Sequence, residues 1–351
     1  MGNIDGDGNE SRTQHASNVD IETEKSLFTS GLGAAKATRS LEVPVIDLGN
    51  ANQEEVADQL WQAATTVGFF TVVGHGIPLD LIEQAFQVSA EFFGQEQEDK
   101  ESQSPFAPHL NSGYEYMTQV RPSTGTNDQK ESLQMTARQG CMDGRWPTHP
   151  PNFRQVLIDG LMEEANSLAG RLLNLLEARA CPHLTPGTMA GSHRLWSNDG
   201  QCTLRLLHYP AMDQETLERL TTPDEEGRVY WRAGPHTDWD NVTLLFQKQA
   251  GLECCANPHA ANNNNNGTLE WTPVDPCQGG IAVNIGDMLA RWSDGKLHSN
   301  LHRVRMPDDA SQSRYSIAFF AQSDKSTLLE CQDPISAGDY ILSRIKSNFS
   351  T

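Results

Sequence analysis

The chain has 351 residues, 37% of them apolar, and its 26 Lys and Arg against 46 Asp and Glu give a formal net charge of −20. This length fits one large domain or two ordinary ones. The negative charge argues against a nucleic-acid or membrane-surface partner, because phosphate binding needs clustered Lys and Arg. An anionic cosubstrate would therefore need a local cation in its own site.

The seven cysteines are odd in number and form no CxxC pair. We therefore expect free thiols of a reducing compartment, rather than a disulfide framework or a zinc site. The adjacent Cys254 and Cys255 could bind a metal, but two buried strand residues that face opposite ways are the favoured interpretation. The sequence shows neither a bilayer-spanning apolar run nor a signal-peptide pattern, which predicts a cytosolic protein without a membrane partner. The sequence contains no feature that predicts an oligomeric state.

Residues 1–40 are rich in Gly, Asn, Ser, Thr and acidic residues. We expect a disordered tail there, because such a segment cannot bury enough apolar surface to offset its ordering entropy. Residues 41–200 predict a helix-rich region with two early strands, over 43–48 and 68–73. Within it, residues 95–150 are polar and Pro-rich, which is typical of loops over a pocket mouth. Apolar residues at three- and four-residue steps predict helices over Glu54–Val67, Pro78–Phe93 and Phe153–Leu175.

After about Gln201 the helical periods give way to short runs of β-forming residues separated by turn residues. This spacing predicts an antiparallel sandwich or jelly roll. The run Asn262–Asn266 is interpreted as an exposed hairpin insert, Asp287 as the N-cap of one helical turn, and residues 338–349 as a closing helix. The predicted strands lie near Thr203–Tyr209, Thr243–Gln247, Leu252–Cys255, Leu269–Thr272, Ile281–Ile285, Leu301–Arg305 and Tyr315–Ala321.

A His and an Asp stand two residues apart in His236-Thr237-Asp238. Side chains alternate along a strand, so both would point to the same face. With one further imidazole, such as His302, they would form the two-His-one-carboxylate triad that holds non-haem Fe(II). An HxD tripeptide alone is weak evidence, because it occurs by chance in many chains.

A second pair with the same spacing strengthens this hypothesis. Arg314 and Ser316 are two apart on a predicted strand, so a guanidinium and a hydroxyl would face the same way. A fork of fixed N–H donors beside a hydroxyl is a good carboxylate receptor. A dicarboxylate held there at one end could chelate iron with its other end.

Several ordered motifs resemble the isopenicillin-N-synthase-like branch of the Fe(II)/2-oxoglutarate-dependent dioxygenases. The resemblance covers about residues 41–345 and is closest to fungal members such as thymine hydroxylase and polyketide-tailoring oxygenases. It implies a double-stranded β-helix (jelly roll) catalytic core over 201–322, flanked by the N-terminal helices, with residues 323–351 forming a C-terminal helix of the same domain. The motifs are Val67–Phe70 with Gly74–Gly76, Arg205–Pro210, Arg232–Asp238, Thr243–Leu245, Asn284–Asp287 and the His302 and Arg314 segments.

The resemblance also implies individual roles. His236, Asp238 and His302 would bind iron, and no catalytic residue beyond this metal centre is expected. Arg314 and Ser316, assisted by Tyr209, would hold the distal carboxylate of 2-oxoglutarate. The residues implied for the substrate are Arg205, Trp239, Phe320 and Asn111.

The implied reaction consumes O₂ and 2-oxoglutarate, releases succinate and CO₂, and oxidises a substrate C–H bond, with ascorbate as a candidate reductant. Hydroxylation, desaturation and ring rearrangement stay open. The chain departs from many plant members at Leu207, where they carry Asn, and at Trp239, where Tyr is common. Both departures alter the predicted pocket, and Trp239 as a core residue is as well supported as Trp239 on the substrate.

Three functional hypotheses are compatible with the sequence. The first is a 2-oxoglutarate-dependent dioxygenase acting on a small organic molecule, with a natural-product intermediate favoured over a nucleobase. The second is an oxidase of the same fold that does not use 2-oxoglutarate, because the Arg-x-Ser pair occurs in both kinds. The third, a non-catalytic receptor, is disfavoured by the intact triad. His208 and His298 are interpreted as structural histidines, not as ligands.

Overall fold

The computed structural model describes residues 42–255 and 270–349. The predicted tail over 1–40 and the run Asn262–Asn266 lie outside the described residues. Among the helices that the structure describes, none has the length and apolar content needed to cross a membrane.

The described strands form two main sheets and one short hairpin. In chain order they are β1 (Val45–Asp47), β2 (Phe69–Val73), β3 (Gly113–Tyr116), β4 (Glu131–Thr136), β5 (Thr203–Tyr209), β6 (Ala233–His236), β7 (Val242–Gln247), β8 (Leu252–Cys255), β9 (Trp271–Pro273), β10 (Ile281–Ile285), β11 (His302–Val304), β12 (Arg314–Ala321), β13 (Leu328–Leu329) and β14 (Ile335–Ser336).

The large sheet has eight strands in the order β1-β2-β10-β7-β12-β5-β4-β3, and the small sheet has four in the order β6-β11-β8-β9. Apart from the parallel pair of β1 and β2, every pairing in these sheets is antiparallel. Residues of both sheets line one internal cavity. The predicted fold class, a jelly roll flanked by helices, is confirmed.

The helices that the sequence predicts begin close to the expected positions, and three short helices were not predicted. A π-helical segment, Arg154–Met162, leads directly into the α-helix Glu163–Ala180. The apolar stripe predicted from Phe153 to Leu175 therefore lies on one continuous helix. The helices are α1 (Gln53–Thr66), α2 (Leu79–Phe93), α3 (Gln97–Gln103), α4 (Glu163–Ala180), α5 (Thr188–Gly191), α6 (Gln214–Thr221), α7 (Asp287–Trp292) and α8 (Ala337–Phe349).

Strand β12 shows how the large sheet separates the core from the cavity. Ile317, Phe319 and Ala321 are buried in the main apolar core together with residues of α1, α2 and α4. The alternate residues, including Ala318 and Phe320, line the cavity. The helices therefore cover one face of the large sheet, and the other face is left for a site.

The prediction of loops alone over residues 95–150 is wrong, because this segment contains α3, β3 and β4. Strand β4 is buried along its whole length although it carries Glu131, Ser132 and Gln134. Residues 132–136 alternate polar and apolar side chains, which is a strand signal that the loop prediction overlooked. The burial of Glu131 is compensated by side-chain pairing.

Glu131 is the centre of that pairing, on the face of β4 directed away from the cavity. Its carboxylate accepts from Lys100 Nζ at 2.7 Å, from His208 Nδ1 at 2.6 Å and from the Tyr114 hydroxyl in a short contact. Burial opposes ionisation, but these hydrogen bonds keep the pKa of Glu131 below its usual range. Glu131 therefore stays charged in the folded protein at neutral pH.

We expect Glu131→Gln to lower the free energy of unfolding by about 3–5 kcal/mol, because Lys100 would keep a buried charge without a counter-charge. Since the folded pKa of Glu131 is depressed, its stabilisation is present at neutral pH and is lost as pH falls through that pKa. Urea denaturation between neutral and acidic pH should thus show the difference from wild type narrowing in acid. The exposed control Glu98→Gln should change stability by less than about 0.5 kcal/mol. A pH-independent difference would contradict this assignment.

Candidate functional site

The pairing of β6 with β11 brings two histidines together. His236, the last residue of β6, is the register partner of His302, the first residue of β11, and their ring centroids are 4.2 Å apart. Asp238 follows two residues after His236. His302 Nε2 lies 3.6 Å from Asp238 Oδ2, and His236 Nε2 lies 3.9 Å from Asp238 Oδ1. One ligand atom from each of the three residues lies within 4.8 Å of the other two.

Neighbouring groups orient all three side chains. His236 Nδ1 is 2.7 Å from the Gly234 carbonyl and His302 Nδ1 is 3.4 Å from the Asn300 carbonyl, which leaves both Nε2 atoms free to accept a metal. Burial lowers the pKa of both imidazoles, most strongly that of His236, so both are held in the neutral, ligating form.

Asp238 is oriented in the same way. Its Oδ2 accepts a hydrogen bond from Thr243 Oγ1 at 2.7 Å and another from Asn284 Nδ2 at 2.9 Å. Both donors come from the large sheet, on β7 and β10. The carboxylate is thus tied to one sheet while the two histidines lie on the other.

The loop that carries Asp238 is held by the chain that follows β10. The backbone N–H of Asp287 donates to the Asp238 carbonyl at 2.8 Å, and that of Gly286 donates to the Asn241 carbonyl at 3.0 Å. Gly286 is required at this close approach, because a Cβ there would lie 2.2 Å from the Asp240 carbonyl oxygen. The structure therefore fixes the loop through backbone contacts.

Asp287 has a different role from the predicted one. The N-cap of α7 is Gly286, and Asp287 is the first helical residue. Its fully buried carboxylate accepts from Thr237 Oγ1 at 3.0 Å and from Arg344 Nη2, on α8, at 2.7 Å. The cap prediction was wrong because the Asp287 side chain pairs with Arg344, which is 57 residues away in the chain. The local sequence around Asp287 gives no sign of this partner.

We expect Gly286→Ala to lower the free energy of unfolding by about 1–3 kcal/mol, the usual effect of forcing an extra methyl group into a packed site. The matched control is Gly191→Ala, on α5, where an added Cβ meets nothing within 4 Å. That control should leave stability unchanged or slightly raised, because alanine favours the helix. Equal unfolding curves for both variants, in urea or on heating, would refute the proposed close contact.

The cavity between the sheets has a volume of about 200 Å³. At one end, Arg314 is buried, with Nη1 3.2 Å from Ser316 Oγ and Nη2 3.0 Å from Gln247 Oε1. The Tyr209 ring lies under the guanidinium, 5.0 Å from ring centre to Cζ. The structure thus brings together the three residues predicted for the cosubstrate carboxylate.

The four residues predicted for the substrate also line the cavity, at its other end and mouth. Arg205 Cζ lies 5.7 Å from the centre of the Phe320 ring. Trp239 follows the metal-site loop, and the exposed Asn111 borders the opening. Leu207 lines the cavity as well, so an apolar wall stands where many plant members place an amide.

Two further cations in the wall, Arg121 and Lys130, were not predicted. Both precede β4 in the segment expected to be loops, and the surrounding sequence carries no motif that would distinguish them from surface charges. Asp128 pairs with both, through Arg121 Nε at 2.9 Å and through a short contact with Lys130 Nζ. Burial lowers the pKa of Lys130 to about 8, whereas Arg121 and Lys130 hold that of Asp128 below its usual range despite its burial.

The remaining candidates take structural places. His208 is on the opposite face of β5 from Tyr209, bonded to Glu131 and stacked on Tyr315 at 4.4 Å, which confirms its structural interpretation. His298 lies outside the three-residue ligand group among the described residues. Cys254 and Cys255 are both buried on β8, and neighbouring residues of a strand point to opposite faces.

Two family models match the chain. A model described as the N-terminal region of non-haem dioxygenases in morphine synthesis matches residues 43–154. A model described as the 2OG-Fe(II) oxygenase superfamily matches residues 200–323, the part that holds the three ligand candidates and the Arg314 pocket.

Relatives match over almost the whole described chain. A UPF0676 protein of Schizosaccharomyces pombe is 31% identical over 326 residues, covering 88% of this chain and 94% of that protein. The 2-oxoglutarate-dependent dioxygenase caaD of Aspergillus niger is 29% identical over 318 residues, covering 85% and 88%. A thymine hydroxylase of Neurospora crassa, solved with alpha-KG, is 24% identical with a TM-score of 0.72, covering 89% and 98%; this likeness concerns the fold alone.

Proposed function

Because the chain belongs to the 2OG-Fe(II) oxygenase superfamily, we propose that His236, Asp238 and His302 bind its Fe(II). The protein is a 2-oxoglutarate-dependent dioxygenase, with Fe(II) as cofactor and 2-oxoglutarate as cosubstrate. The observation that carries the ligand assignment is the convergence of three ligand atoms within 4.8 Å. Two neutral imidazoles and one carboxylate are the donor set expected for non-haem Fe(II), so the residues present fit the metal.

We propose that Arg314 and Ser316 bind the distal carboxylate of 2-oxoglutarate, with Tyr209 packing against the guanidinium. Burial strengthens such a charge-assisted pair, and Gln247 fixes the orientation of Arg314 before the ligand arrives. Arg314 is also the local cation that the acidic chain needs for an anionic cosubstrate.

When bound, iron and 2-oxoglutarate supply the oxidising chemistry, in which O₂ is consumed, succinate and CO₂ are released and a C–H bond is oxidised. The protein contributes the ligand geometry and the cavity in which cosubstrate and substrate are placed. Thr243 and Asn284 hold the Asp238 carboxylate. Phe69 packs edge-on against His302 at 5.5 Å and limits solvent access to the metal site.

The substrate is a small organic molecule, and we propose a natural-product intermediate. The cavity volume and its walls of Leu207, Leu245 and Phe320 support a compact and largely apolar body. The alternative is a nucleobase, since the Neurospora crassa enzyme has been solved with thymine. The free cysteines support the cytosol as its compartment.

The alternative predicted from the sequence, an oxidase of the same fold that does not consume 2-oxoglutarate, is disfavoured by the relatives that are named 2-oxoglutarate-dependent dioxygenases. The buried Arg314–Ser316 receptor argues in the same direction, since it provides a carboxylate site separate from the metal. Release of succinate in proportion to substrate turnover is the expected result.

Anaerobic titration of the protein and 2-oxoglutarate with Fe(II) should produce a weak visible charge-transfer band. His236→Ala should abolish it, because an iron site that loses one of three protein ligands no longer holds metal and chelate together. The control His183→Ala removes an exposed histidine whose Nε2 contacts the Glu330 carbonyl, and it should leave the band intact. A normal band in His236→Ala would disprove the ligand assignment.

Arg314→Leu should raise the Kd for 2-oxoglutarate by a factor corresponding to about 2–5 kcal/mol, the range for removing one partner of a buried charge pair. The same titration with 2-oxoglutarate varied gives this Kd. As a matched control, Arg154→Leu removes an exposed arginine that stacks on Trp146 at 5.0 Å, and it should not change the Kd. Unchanged affinity in Arg314→Leu would place the cosubstrate carboxylate elsewhere.

A further inference from the structure

The cavity wall carries more positive than negative charge. Besides Arg314, three cations line it: Arg121, Lys130 and Arg205. Asp128 pairs with the first two and can balance only one charge. The acid among the described lining residues, Asp238, is assigned to the metal. This surplus stands out in a chain whose net charge is −20.

Arg205 is the cation in this group that has no hydrogen-bond or ion-pair partner among the described residues. Its Nε is buried and has no hydrogen-bond acceptor within residues 42–255 and 270–349. Glu115 and Asp238 attract it only at longer range, because no carboxylate of the described chain forms an ion pair with it. Burial accordingly lowers the pKa of Arg205. A guanidinium kept in this state costs stability, unless a ligand supplies the acceptor.

The strand register separates Arg205 from the cosubstrate pocket. Arg314 pairs with Tyr209, and Arg205 pairs with Ala318, so the two arginines are four residues apart along β5 and β12. That spacing corresponds to roughly 13 Å along the strands. A carboxylate held by Arg314 cannot also reach Arg205. The unpaired donors of Arg205 therefore remain for the substrate.

We propose that the substrate carries a carboxylate and that Arg205 binds it as the specificity-determining residue, with Arg121 adding attraction. This inference rests on the proposed function, since it concerns the substrate of the same site. Phe320 lies beside the guanidinium and offers a flat apolar surface to the body of the molecule. The carboxylate at Arg205 would direct the rest of the substrate toward the metal-site residues on the opposite sheet. A neutral nucleobase leaves the positive charge uncompensated.

The test uses para-fluorobenzoate and para-fluorobenzamide, which share size and ring but differ in charge. Binding of each at millimolar concentration is followed by fluorine NMR on anaerobic wild type saturated with Fe(II) and 2-oxoglutarate, so that Arg314 is occupied. We expect the acid to bind about tenfold more tightly or better than the amide, the scale of a charge-assisted hydrogen bond. Thymine should not displace the acid at equal concentration.

Arg205→Met should remove the acid preference, and Arg205→Lys should keep part of it. Arg314→Leu, measured without Fe(II) and 2-oxoglutarate, should retain the acid preference, because Arg205 is unchanged. This binding measurement on Arg314→Leu does not require iron or cosubstrate. Failure of the proposed function would therefore appear as a missing charge-transfer band with the acid preference intact. Failure of this inference would appear as a normal band without the acid preference.

A melting curve separates a binding role from a structural one. Arg205→Met removes a cation without a counter-charge, so its Tm should equal or exceed that of wild type. A clearly lower Tm would show that Arg205 supports the fold. Equal binding of acid and amide, an acid preference that survives in Arg205→Met, or no binding of the acid to wild type would each overturn the proposal.

Discussion

The antiparallel pairing of β6 with β11 is the contact on which the site depends. It places His302 opposite His236, although the two residues are 66 positions apart in the chain (302 − 236). Cross-strand neighbours have Cβ atoms only about 4.5–5.5 Å apart, which is the separation two ligands of one metal ion require. A slip by one residue would turn one imidazole to the other face and dismantle the site.

The third ligand is held by a different set of contacts. Asp238 lies just beyond β6, where the ladder of strand hydrogen bonds has ended, and backbone donors from residues 286–288 replace that ladder. Asp287 extends this support to α8 through Arg344, whose guanidinium also lies 5.5 Å from the Trp239 ring centre. The C-terminal helix thereby braces the loop next to the metal-site residues.

The charged side chains on the two faces of β4 and β5 differ in whether they have partners. On the face away from the cavity, Glu131 is hydrogen-bonded to Lys100 and His208, and this pairing serves stability. On the cavity face, Arg205 has no such partner, and Arg314 is held ready beside Ser316. Unpaired charge is concentrated where ligands are expected, which is the usual sign of a site that sacrifices stability for recognition.

Local sequence was sufficient for the long helices, for most strands after residue 201 and for the two pairs spaced by two residues. Alternation along a strand is a property of the backbone alone, so the shared face of Arg314 and Ser316 follows from their spacing. Strand spacing and turn residues predicted an antiparallel sandwich or jelly roll, and the resemblance to a known family implied the jelly roll. The register that brings His302 to His236 could not, since strand pairing over 66 residues depends on the whole sheet.

Only the tertiary structure revealed the partners of Glu131, the partners of Asp287 and the place of Arg121 and Lys130 in the cavity wall. Each of these features depends on polar side chains whose burial is compensated by distant residues, such as Glu131 with Lys100 or Asp287 with Arg344. Apolar periodicity reports burial only where the buried groups are apolar. A polar side chain can be buried only where the fold brings a hydrogen-bond partner within reach, and that partner is known only from the folded chain.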